Sequence, residues 1–303
     1  MKRVVLSGAT GPIGIALVEN LIQRGIEVLI ICRKGSKREE ALPSHPNVHK
    51  IYASLEDYAD LQNETGTSYD VFYHFAWDGT AGNTRNDVYL QYQNVKYTLD
   101  AVQLAKRFGC YKFIGAGSQA EYGRYEGKLS AKTAAYPENA YGIAKLCAGQ
   151  MSRLFAEQIE LEHVWVRIVS VYGPYDGPQT MVASTINKLR NGETAKFTKG
   201  EQKWDYLYSG DAAEAFRLIG EKGVSGKTYV LGSGKERPLS ECIKIIGDKL
   251  NANHLIELGG IPYSDKQVMH LCADTVELQE DTGWRAITTF EQGIAKILEK
   301  NKG

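Results

Sequence analysis

The stretch RVVLSGATGPIG, residues 3–14, decides the fold, because it joins a short apolar run to a glycine-rich turn and the start of a helix. Residues 3–7 predict a buried strand. Residues 14–24 predict a helix, since apolar side chains recur at helical spacing until Gly25 ends the pattern. A strand, a tight turn and a helix in this order are typical of the first unit of a parallel α/β sheet.

The turn itself, residues 8–14, has the spacing GxxGxxG. Its glycines let a phosphate approach the backbone, and the helix N-terminus offers free N–H groups and the positive end of its dipole. Pro12 is compatible with this role, because an N–H in the first helical turn has no partner within the helix. We therefore predict a dinucleotide site formed by Gly8, Thr10, Gly11, Ile13 and Gly14. A glycine-rich turn that binds no ligand is the alternative.

Outward from this unit, short apolar runs alternate with helical patterns. The further predicted strands are Glu27–Cys32, Val48–Tyr52, residues 70–75, 111–115 and 163–168, and Thr228–Leu231. The further predicted helices are residues 88–108 and 141–157. This alternation indicates an α/β fold with a doubly wound parallel sheet of the Rossmann type, with a smaller, mostly α substrate lobe.

The regular alternation loosens after the strand at 163–168, and Thr228–Leu231 restores it. We therefore assign residues 1–171 plus about 206–231 to a dinucleotide-binding domain. Residues from about 172 to 205 plus 232–303 are assigned to the substrate lobe.

Composition narrows the class of protein. The chain has 303 residues, 43% of them hydrophobic and 24% charged, and its formal net charge is zero. This balance argues against nucleic acid or an anionic membrane as the main partner. The five cysteines form no CxxC pair, which favours a reducing, cytoplasmic location and gives no metal signature. We expect no signal peptide, because the short apolar run from Val4 to Leu6 breaks at Gly8 and no h-region follows it. We expect no membrane span, because no apolar run approaches about 18 residues.

The residues after the second strand indicate which dinucleotide binds. An acidic residue there would bond the adenosine ribose and repel a 2′-phosphate. This chain instead has the basic run CRKGSKR, residues 32–38. We therefore favour NADP(H) over NAD(H), with Arg33, Ser36 and Lys37 at the 2′-phosphate. The alternative is a solvated basic loop.

The segment YGIAK, residues 141–145, carries the candidate chemistry. Tyr141 and Lys145 are four residues apart and lie on one face of the predicted helix. An ammonium beside a phenol favours the phenolate, so the tyrosine can act as an acid or a base near neutral pH. Ser118 lies 23 residues earlier, in the segment GSQAEYG at 117–123 that follows the fifth strand.

This ordered set resembles the extended short-chain dehydrogenases/reductases of the NAD-dependent epimerase/dehydratase family. The other landmarks that resemble the family are residues 74–76 (HFA), 94–95 (NV), 171–174 (VYGP), 202–208 (QKWDYLY), Asp211 and 283–284 (GW). The resemblance spans almost the whole chain and implies that Ser118, Tyr141 and Lys145 are catalytic, with Tyr141 and Lys145 also contacting the cofactor. It also implies a homodimer that packs two helices from each subunit.

The resemblance also implies further residues that contact the cofactor or the substrate. The additional cofactor residues are Ser54, Leu55, Phe75, Ala76 and Asn94. The substrate residues are Ser118, Gln119, Ser170, Trp204 and Arg237. Ser170 stands where the family has Asn, and Trp204 where it has Arg. Trp204 packing between lobes and Arg237 in a solvated loop are the alternatives. Glu121, at a position that is usually apolar in the family, is a further candidate for a substrate contact or an additional acid.

One departure from the family pattern narrows the reaction. Dehydratases of the family carry an Asp-Glu pair directly after the catalytic residue, whereas this chain has Gln119 and Ala120. The missing pair disfavours dehydration, and the basic run at 32–38 suits a reductase that consumes NADPH. The segments at 117–123 and 200–207 resemble those of nucleotide-sugar 4-ketoreductases and their close epimerase relatives. This resemblance implies hydride transfer from NADPH to the 4-keto group of a nucleotide-linked 6-deoxyhexose. An NAD-dependent nucleotide-sugar 4-epimerase is the first alternative. Reduction of a carbonyl without a nucleotide and a non-catalytic NADP-binding regulator are the others.

Overall fold

The computed structural model describes residues 1–36, 38–64 and 66–300. Its centre is a seven-stranded parallel sheet. The strands of the chain are β1 (Arg3–Ser7), β2 (Glu27–Cys32), β3 (Val48–Tyr52), β4 (Val71–His74), β5 (Lys112–Ser118), β6 (Lys128–Leu129), β7 (Glu162–Ile168), β8 (Val171–Tyr172), β9 (Ala195–Phe197), β10 (Lys203–Trp204), β11 (Leu207–Tyr208), β12 (Thr228–Leu231), β13 (Arg237–Pro238), β14 (Ile256–Leu258) and β15 (His270–Ala273).

Helices cover both faces of the sheet. The helices of the chain are α1 (Pro12–Ile22), α2 (Val88–Arg107), α3 (Ala140–Gln158), α4 (Met181–Arg190), α5 (Ser209–Lys222), α6 (Leu239–Leu250), α7 (Val276–Thr282) and α8 (Phe290–Lys300). Over the described parts of the chain, no helix has both the length and the apolar character that crossing a membrane requires.

The strand order is β12-β7-β5-β4-β1-β2-β3, so β1 lies between β2 and β4. The chain runs outward from β1 to β3 and then returns to β4 on the other side of β1. This reversal opens a crevice at the carboxyl ends of β1 and β4, where doubly wound proteins bind their ligands.

Strand β1 shows how the sheet is buried on both faces. Val4 and Leu6 pack with α1 and α5 in one core, whereas Val5 packs with α2 in another. Because side chains alternate between the two faces of a strand, a run of apolar residues is what a doubly covered strand requires. The predicted doubly wound fold is therefore confirmed.

Outside the central sheet, α4, α6 and α8 pack around an apolar cluster that includes Tyr172 and Phe290. Two small sheets in the order β13-β10-β15-β6 and β14-β9 were not predicted, because strands of two to four residues carry too little periodicity. The division into a dinucleotide domain and a substrate lobe stays a prediction.

Two histidines are buried among aromatic rings of the central sheet. The ring of His163 stacks between Phe113, at 5.7 Å, and Trp165, at 6.3 Å. Hydroxyl groups of Ser152 and Ser7 bond one nitrogen of His163 and His74 respectively, at 2.9 and 2.8 Å. Within the described residues, the second nitrogen of each ring has no hydrogen-bond partner. Burial lowers the pKa of each histidine to about 3, assisted by the nearby charge of a lysine or an arginine.

These histidines predict loss of stability in mild acid. Between about pH 6.5 and 5 the unfolded chain binds a proton at each ring and the folded chain does not, so the free energy of unfolding falls as the pH falls. The slope is up to about 1.4 kcal/mol per pH unit for each histidine. His163→Gln should therefore reduce the wild-type slope by about 1 kcal/mol per pH unit, measured by urea unfolding at several pH values. The exposed His254, replaced by Gln, is the control. Equal slopes for His163→Gln and the wild type would contradict the assignment.

Candidate active site

The glycine-rich turn lies at the crevice between β1 and β4. Gly8 has a φ of +75°, and a Cβ there would lie 2.5 Å from the backbone of Phe75 and Ala76, so only glycine fits. A Cβ on Gly14 would lie 2.6 Å from the carbonyl oxygen of Gly8, so α1 packs directly on the turn. A Cβ on Gly11 would contact only that oxygen, at 3.5 Å, and would otherwise enter the open cleft.

This cleft has an empty volume of about 1170 Å³ and is lined by Gly8, Thr10 and Gly11 among others. The space left by the glycines and the unpaired N–H groups at the start of α1 fit a dinucleotide pyrophosphate. Ile13 and Gly14 are not among its lining residues. Ile13 packs against the hydrophobic core and Gly14 lies against the backbone of Gly8, so both hold the helix on the turn, and their contact with a cofactor stays a prediction.

The cleft extends to the end of β2, where Arg33, Ser36 and Arg38 line it. Arg33 lies 3.4 Å from Asp78, and both side chains are exposed, so this ion pair is weak and can yield to a ligand. Arg38 was not among the predicted contacts, although it belongs to the same basic run. Lys37 lies outside the described residues.

The other predicted cofactor residues fall into two groups. Those that line the cleft are Leu55, Phe75 and Ala76. Ser54 instead caps a short 3₁₀ helix, Leu55–Ala59. The amide of Asn94 bonds both the N–H and the carbonyl oxygen of Asp78, each at 2.9 Å. Asn94 therefore fixes the loop that follows β4, and the cleft is shaped by it indirectly.

The predicted catalytic residues come together where β5 meets α3. Ser118 is the last residue of β5, and Tyr141 and Lys145 lie in the first turns of α3. A Cβ on Gly142 would lie 2.2 Å from the carbonyl oxygen of Ala120, so the helix lies directly against the turn after β5. This close contact brings Tyr141 near Ser118, whose side chain acts to lower the pKa of the phenol.

Burial dominates the proton chemistry of this group. It raises the pKa of Tyr141, while the side chain of Ser118 and the guanidinium of Arg85 act in the opposite direction. Lys145 is buried as well, and its Nζ donates to the carbonyl oxygen of Ala116 at 2.7 Å. Burial lowers the pKa of Lys145 to about 7, although the negative charge of Glu121 opposes this. Both groups are thus shifted toward their neutral forms, as active-site acids often are.

Two side chains at this site, Trp77 and Arg85, were not predicted from the sequence. Lys145 Nζ lies 3.6 Å from the ring centroid of Trp77, and Arg85 Cζ lies 4.3 Å from the ring centroid of Tyr141. At these distances the aromatic faces attract the cations. Both residues belong to the segment after β4, which the topology places at the crevice, so position along the chain was the available signal.

A second pocket, with an empty volume of about 580 Å³, lies between β10, β13 and the start of α8. Trp204 and Arg237, two of the predicted substrate residues, line it. The indole N–H of Trp204 donates to the Ser170 hydroxyl at 3.1 Å, and Arg237 pairs with Glu291 at 2.7 Å. Ser170 and Trp204, which both depart from the family pattern, are therefore hydrogen-bonded to each other. Ser118 and Gln119 lie apart from this pocket, at the end of β5.

Two buried carboxylates hold the walls of the second pocket. Asp205 accepts hydrogen bonds from the N–H groups of Ser233, Gly234 and Ala273 at 2.7 to 3.0 Å. Asp211 accepts from the N–H groups of residues 287 and 288 at 3.0 and 2.7 Å. Both belong to motifs noted in the sequence, but their role as anchors requires contacts that the sequence does not show.

Glu121 does not have the role considered for it as a substrate contact or additional acid. Its side chain is 0% exposed, and both carboxylate oxygens are bonded inside the protein. A carboxylate that is buried and fully bonded does not meet a substrate. The structure thus corrects the interpretation of this residue.

Comparison with known proteins agrees with the fold and the site. A profile of the NAD dependent epimerase/dehydratase family matches residues 4–232. CDP-abequose synthase of Salmonella muenchen is 25% identical, over 98% of this chain and 97% of the synthase. The dTDP-4-dehydro-6-deoxyglucose reductase of Escherichia coli is 23% identical, over 98% of this chain and 96% of the reductase. UDP-glucose 4-epimerase of Thermus thermophilus, solved in complex with NAD, superposes with a TM-score of 0.87 at 21% identity, over 99% of each chain.

A doubly wound sheet, a glycine-rich turn at its switch point and a Ser–Tyr–Lys group at the same crevice define a nicotinamide-dependent oxidoreductase of the extended short-chain dehydrogenase/reductase type. Since the family profile spans most of the chain, the protein belongs to the NAD-dependent epimerase/dehydratase family. The likeness to the solved epimerase shows the fold.

Proposed function

We propose that the enzyme transfers a hydride from NADPH to the 4-keto group of a nucleotide-linked 6-deoxyhexose. The observation that carries this proposal is that Ser118, at the end of β5, meets Tyr141 and the buried Lys145 in the first turns of α3. The full-length similarity to a dTDP-4-dehydro-6-deoxyglucose reductase and a CDP-abequose synthase supports this substrate class.

Tyr141 transfers the proton in this reaction, and three other side chains assist it. Ser118 and Tyr141 donate hydrogen bonds to the carbonyl oxygen, which polarises the carbon that receives the hydride. The nicotinamide supplies that hydride when it is bound. Tyr141 then gives its proton to the new alkoxide, which completes the alcohol and leaves a phenolate. Lys145 and Arg85 stabilise that phenolate, since Lys145 Nζ lies 5.8 Å and Arg85 Cζ 4.3 Å from the ring centroid.

The residues after Ser118 disfavour dehydration. Removal of water from a sugar needs an acid and a base beside the ring. Here the amide of Gln119 does not titrate and Ala120 is a buried methyl group. Glu121 is the acidic residue of this turn, and its oxygens are bonded to the N–H groups of Ser118, Trp165 and Arg167. Simple reduction remains the chemistry that this group of residues supports best.

The second pocket suits a nucleotide. Lys235 and Arg237 supply positive charge for a diphosphate, and Trp204, Tyr206 and Phe290 supply aromatic faces for a base or a sugar. We place the nucleotide part of the substrate there, and the keto sugar toward Ser118.

The reaction is tested by following NADPH absorbance with a panel of 4-keto-6-deoxy and ordinary nucleotide sugars. We expect stoichiometric loss of NADPH with a 4-keto sugar. Tyr141→Phe should lower kcat by about 10²-fold, the usual scale for a general acid, and leave NADPH affinity nearly unchanged. Tyr111→Phe, at the opposite end of β5, is the control and should keep wild-type turnover.

Two outcomes would contradict this proposal. Interconversion of gluco and galacto nucleotide sugars without net NADPH loss would make the protein a 4-epimerase. NADPH binding without turnover on any member of the panel would favour a regulator.

We further propose that the enzyme prefers NADP(H) to NAD(H). Arg33, Ser36 and Arg38 line the cleft at the end of β2, where the adenosine ribose of a dinucleotide lies. An arginine can form a fork of charge-assisted bonds to a phosphate, which favours the 2′-phosphate of NADP.

Arg33→Asp should therefore raise the KM for NADPH at least 10-fold, about 1.4 kcal/mol, because it replaces an attraction to the phosphate by repulsion. The neighbouring Lys34 is exposed and is not among the residues lining the cleft, so Lys34→Asp is the matched control and should change the KM less than about 3-fold. A wild-type enzyme that binds NAD as tightly as NADP would contradict the preference.

We propose a homodimer formed by α2 and α3, which pack against each other. Both helices expose large apolar side chains: Tyr89, Tyr92, Ile143, Met151 and Leu154. An exposed apolar face of this kind marks an interface, and a second copy of the same two helices would cover it in the manner of the family.

Ile143→Lys combined with Leu154→Lys should convert the dimer to a monomer, because charges would be buried without partners in the interface. Sedimentation equilibrium measures the mass. The exposed Val276, replaced by Lys on α7, is the control and should leave the dimer intact. A wild-type protein that is monomeric at micromolar concentration would sink the proposal.

The location is proposed to be the cytoplasm. The five cysteines are free thiols, and the reaction proposed above consumes NADPH. A reducing compartment maintains both.

A further inference from the structure

We propose that Glu121 is a positioning residue of the reaction: its carboxylate, held by Arg167, fixes the backbone N–H of Ser118 and so directs the Ser118 hydroxyl toward Tyr141 and the substrate carbonyl. This inference rests on the proposed function, because it takes Ser118 and Tyr141 as the groups that bind the carbonyl oxygen.

The carboxylate of Glu121 accepts hydrogen bonds from three residues on two strands, β5 and β7. One oxygen accepts hydrogen bonds from the Ser118 backbone N–H at 2.8 Å and from the Trp165 indole N–H at 3.0 Å. The other accepts from Arg167 Nε at 2.6 Å. Trp165 and Arg167 lie on β7, and the register of β5 and β7 places Arg167 opposite Gly117. The end of β5 already pairs with β7 up to Ser118 and Ile168, and the Glu121 carboxylate adds a side-chain link between the same two strands.

The same contacts set the conformation of Ser118. Its hydroxyl oxygen accepts a hydrogen bond from the N–H of Ala120 at 3.2 Å, while Glu121 accepts the N–H of Ser118. Ser118 and Glu121 thus form a reciprocal capping box around a one-turn 3₁₀ helix. Since the Ser118 oxygen is held by Ala120, the hydroxyl hydrogen is left to point toward a ligand or Tyr141.

Charge makes this arrangement rigid. Glu121 is 0% exposed and Arg167 is 5% exposed, and their bond is of the short, charge-assisted kind. The guanidinium of Arg167 also lies 4.6 Å from the ring centroid of Tyr122. The carboxylate packs closely against the backbone of Gly117, because a Cβ there would lie 2.5 Å from a Glu121 oxygen. A shift of Glu121 would therefore move the backbone that carries Ser118.

Glu121 also acts electrostatically on the proton-transferring groups. Its negative charge contributes to raising the pKa of Tyr141 and opposes the loss of the proton from Lys145. A carboxylate at this position thereby keeps Tyr141 protonated before reaction, which agrees with its role as the acid.

A buried ion pair can also serve stability alone, so the experiment separates the two roles. Glu121→Leu with Arg167→Met replaces the pair by apolar groups and removes the acceptor for the Ser118 N–H. Glu121→Gln with Arg167→Met is the matched variant, because its amide oxygen can still accept that bond. Glu214→Gln with Arg217→Met removes an ion pair on α5, away from the site, and controls for loss of a pair as such.

We expect the Leu/Met variant to lower kcat by about 10- to 100-fold, the scale of a misplaced catalytic group, with NADPH affinity and substrate KM within about 2-fold of wild type. The Gln/Met variant should retain kcat within about 3-fold, because the acceptor for the Ser118 N–H is kept. Thermal unfolding and NADPH binding report whether each variant is folded. If the Leu/Met variant does not fold, Glu121→Asp replaces it, since the shorter side chain keeps the charge but withdraws from the Ser118 N–H.

A double-mutant cycle with Ser118→Ala decides the matter. If Glu121 acts through Ser118, the Leu/Met or Asp change should lower kcat less than about 2-fold in the Ser118→Ala background. An equal loss with and without Ser118, or an unchanged kcat in the folded Leu/Met or Asp variant, would overturn the inference. An unchanged kcat in Ser118→Ala alone would instead overturn the proposed function, so the two failures are distinguishable.

Discussion

Direct backbone-to-backbone contact at a few glycines is the constraint on which the site depends. Gly8 leaves the turn after β1 in contact with the end of β4, and Gly142 leaves α3 in contact with the turn after β5. A side chain at either position would need space that the backbone of residues 75–76 or Ala120 already occupies. The first contact shapes the dinucleotide cleft and the second brings Tyr141 to Ser118. Both therefore meet at the crevice that the strand order creates.

Once the site is closed in this way, desolvation governs its proton chemistry. Lys145 is buried, so the charged form of its side chain is disfavoured. The Ala116 carbonyl oxygen and the ring of Trp77 offset part of this desolvation cost. Tyr141 is disfavoured as a phenolate for the same reason, and the nearby cations reduce that cost. The tyrosine is thus protonated before the reaction, and the nearby cations lower the free energy of the phenolate that forms when it gives up its proton. A general acid requires both properties.

The pattern of apolar residues along the sequence predicted the strands of the central sheet well, because buried parallel strands are nearly continuous apolar runs. β2, β3 and β12 have the predicted bounds. The strand β5 was predicted to end at residue 115 and continues to Ser118, since its glycines weaken the strand pattern. The role of Glu121 was beyond local pattern altogether. It depends on Arg167, 46 residues later, and on the register that sets β7 beside β5.

The second pocket shows how departures from a family pattern constrain one another. Trp204 replaces an arginine of the family and Ser170 an asparagine, and here the indole donates to the hydroxyl. The exchange removes a cation from this wall, and Arg237 is partly neutralised by Glu291. Under the proposed function, Lys235 and Arg237 remain to meet a diphosphate, and stacking on Trp204 and Tyr206 adds to the affinity. We propose that this pocket selects the nucleotide, and that the residues around Ser118 determine the reaction.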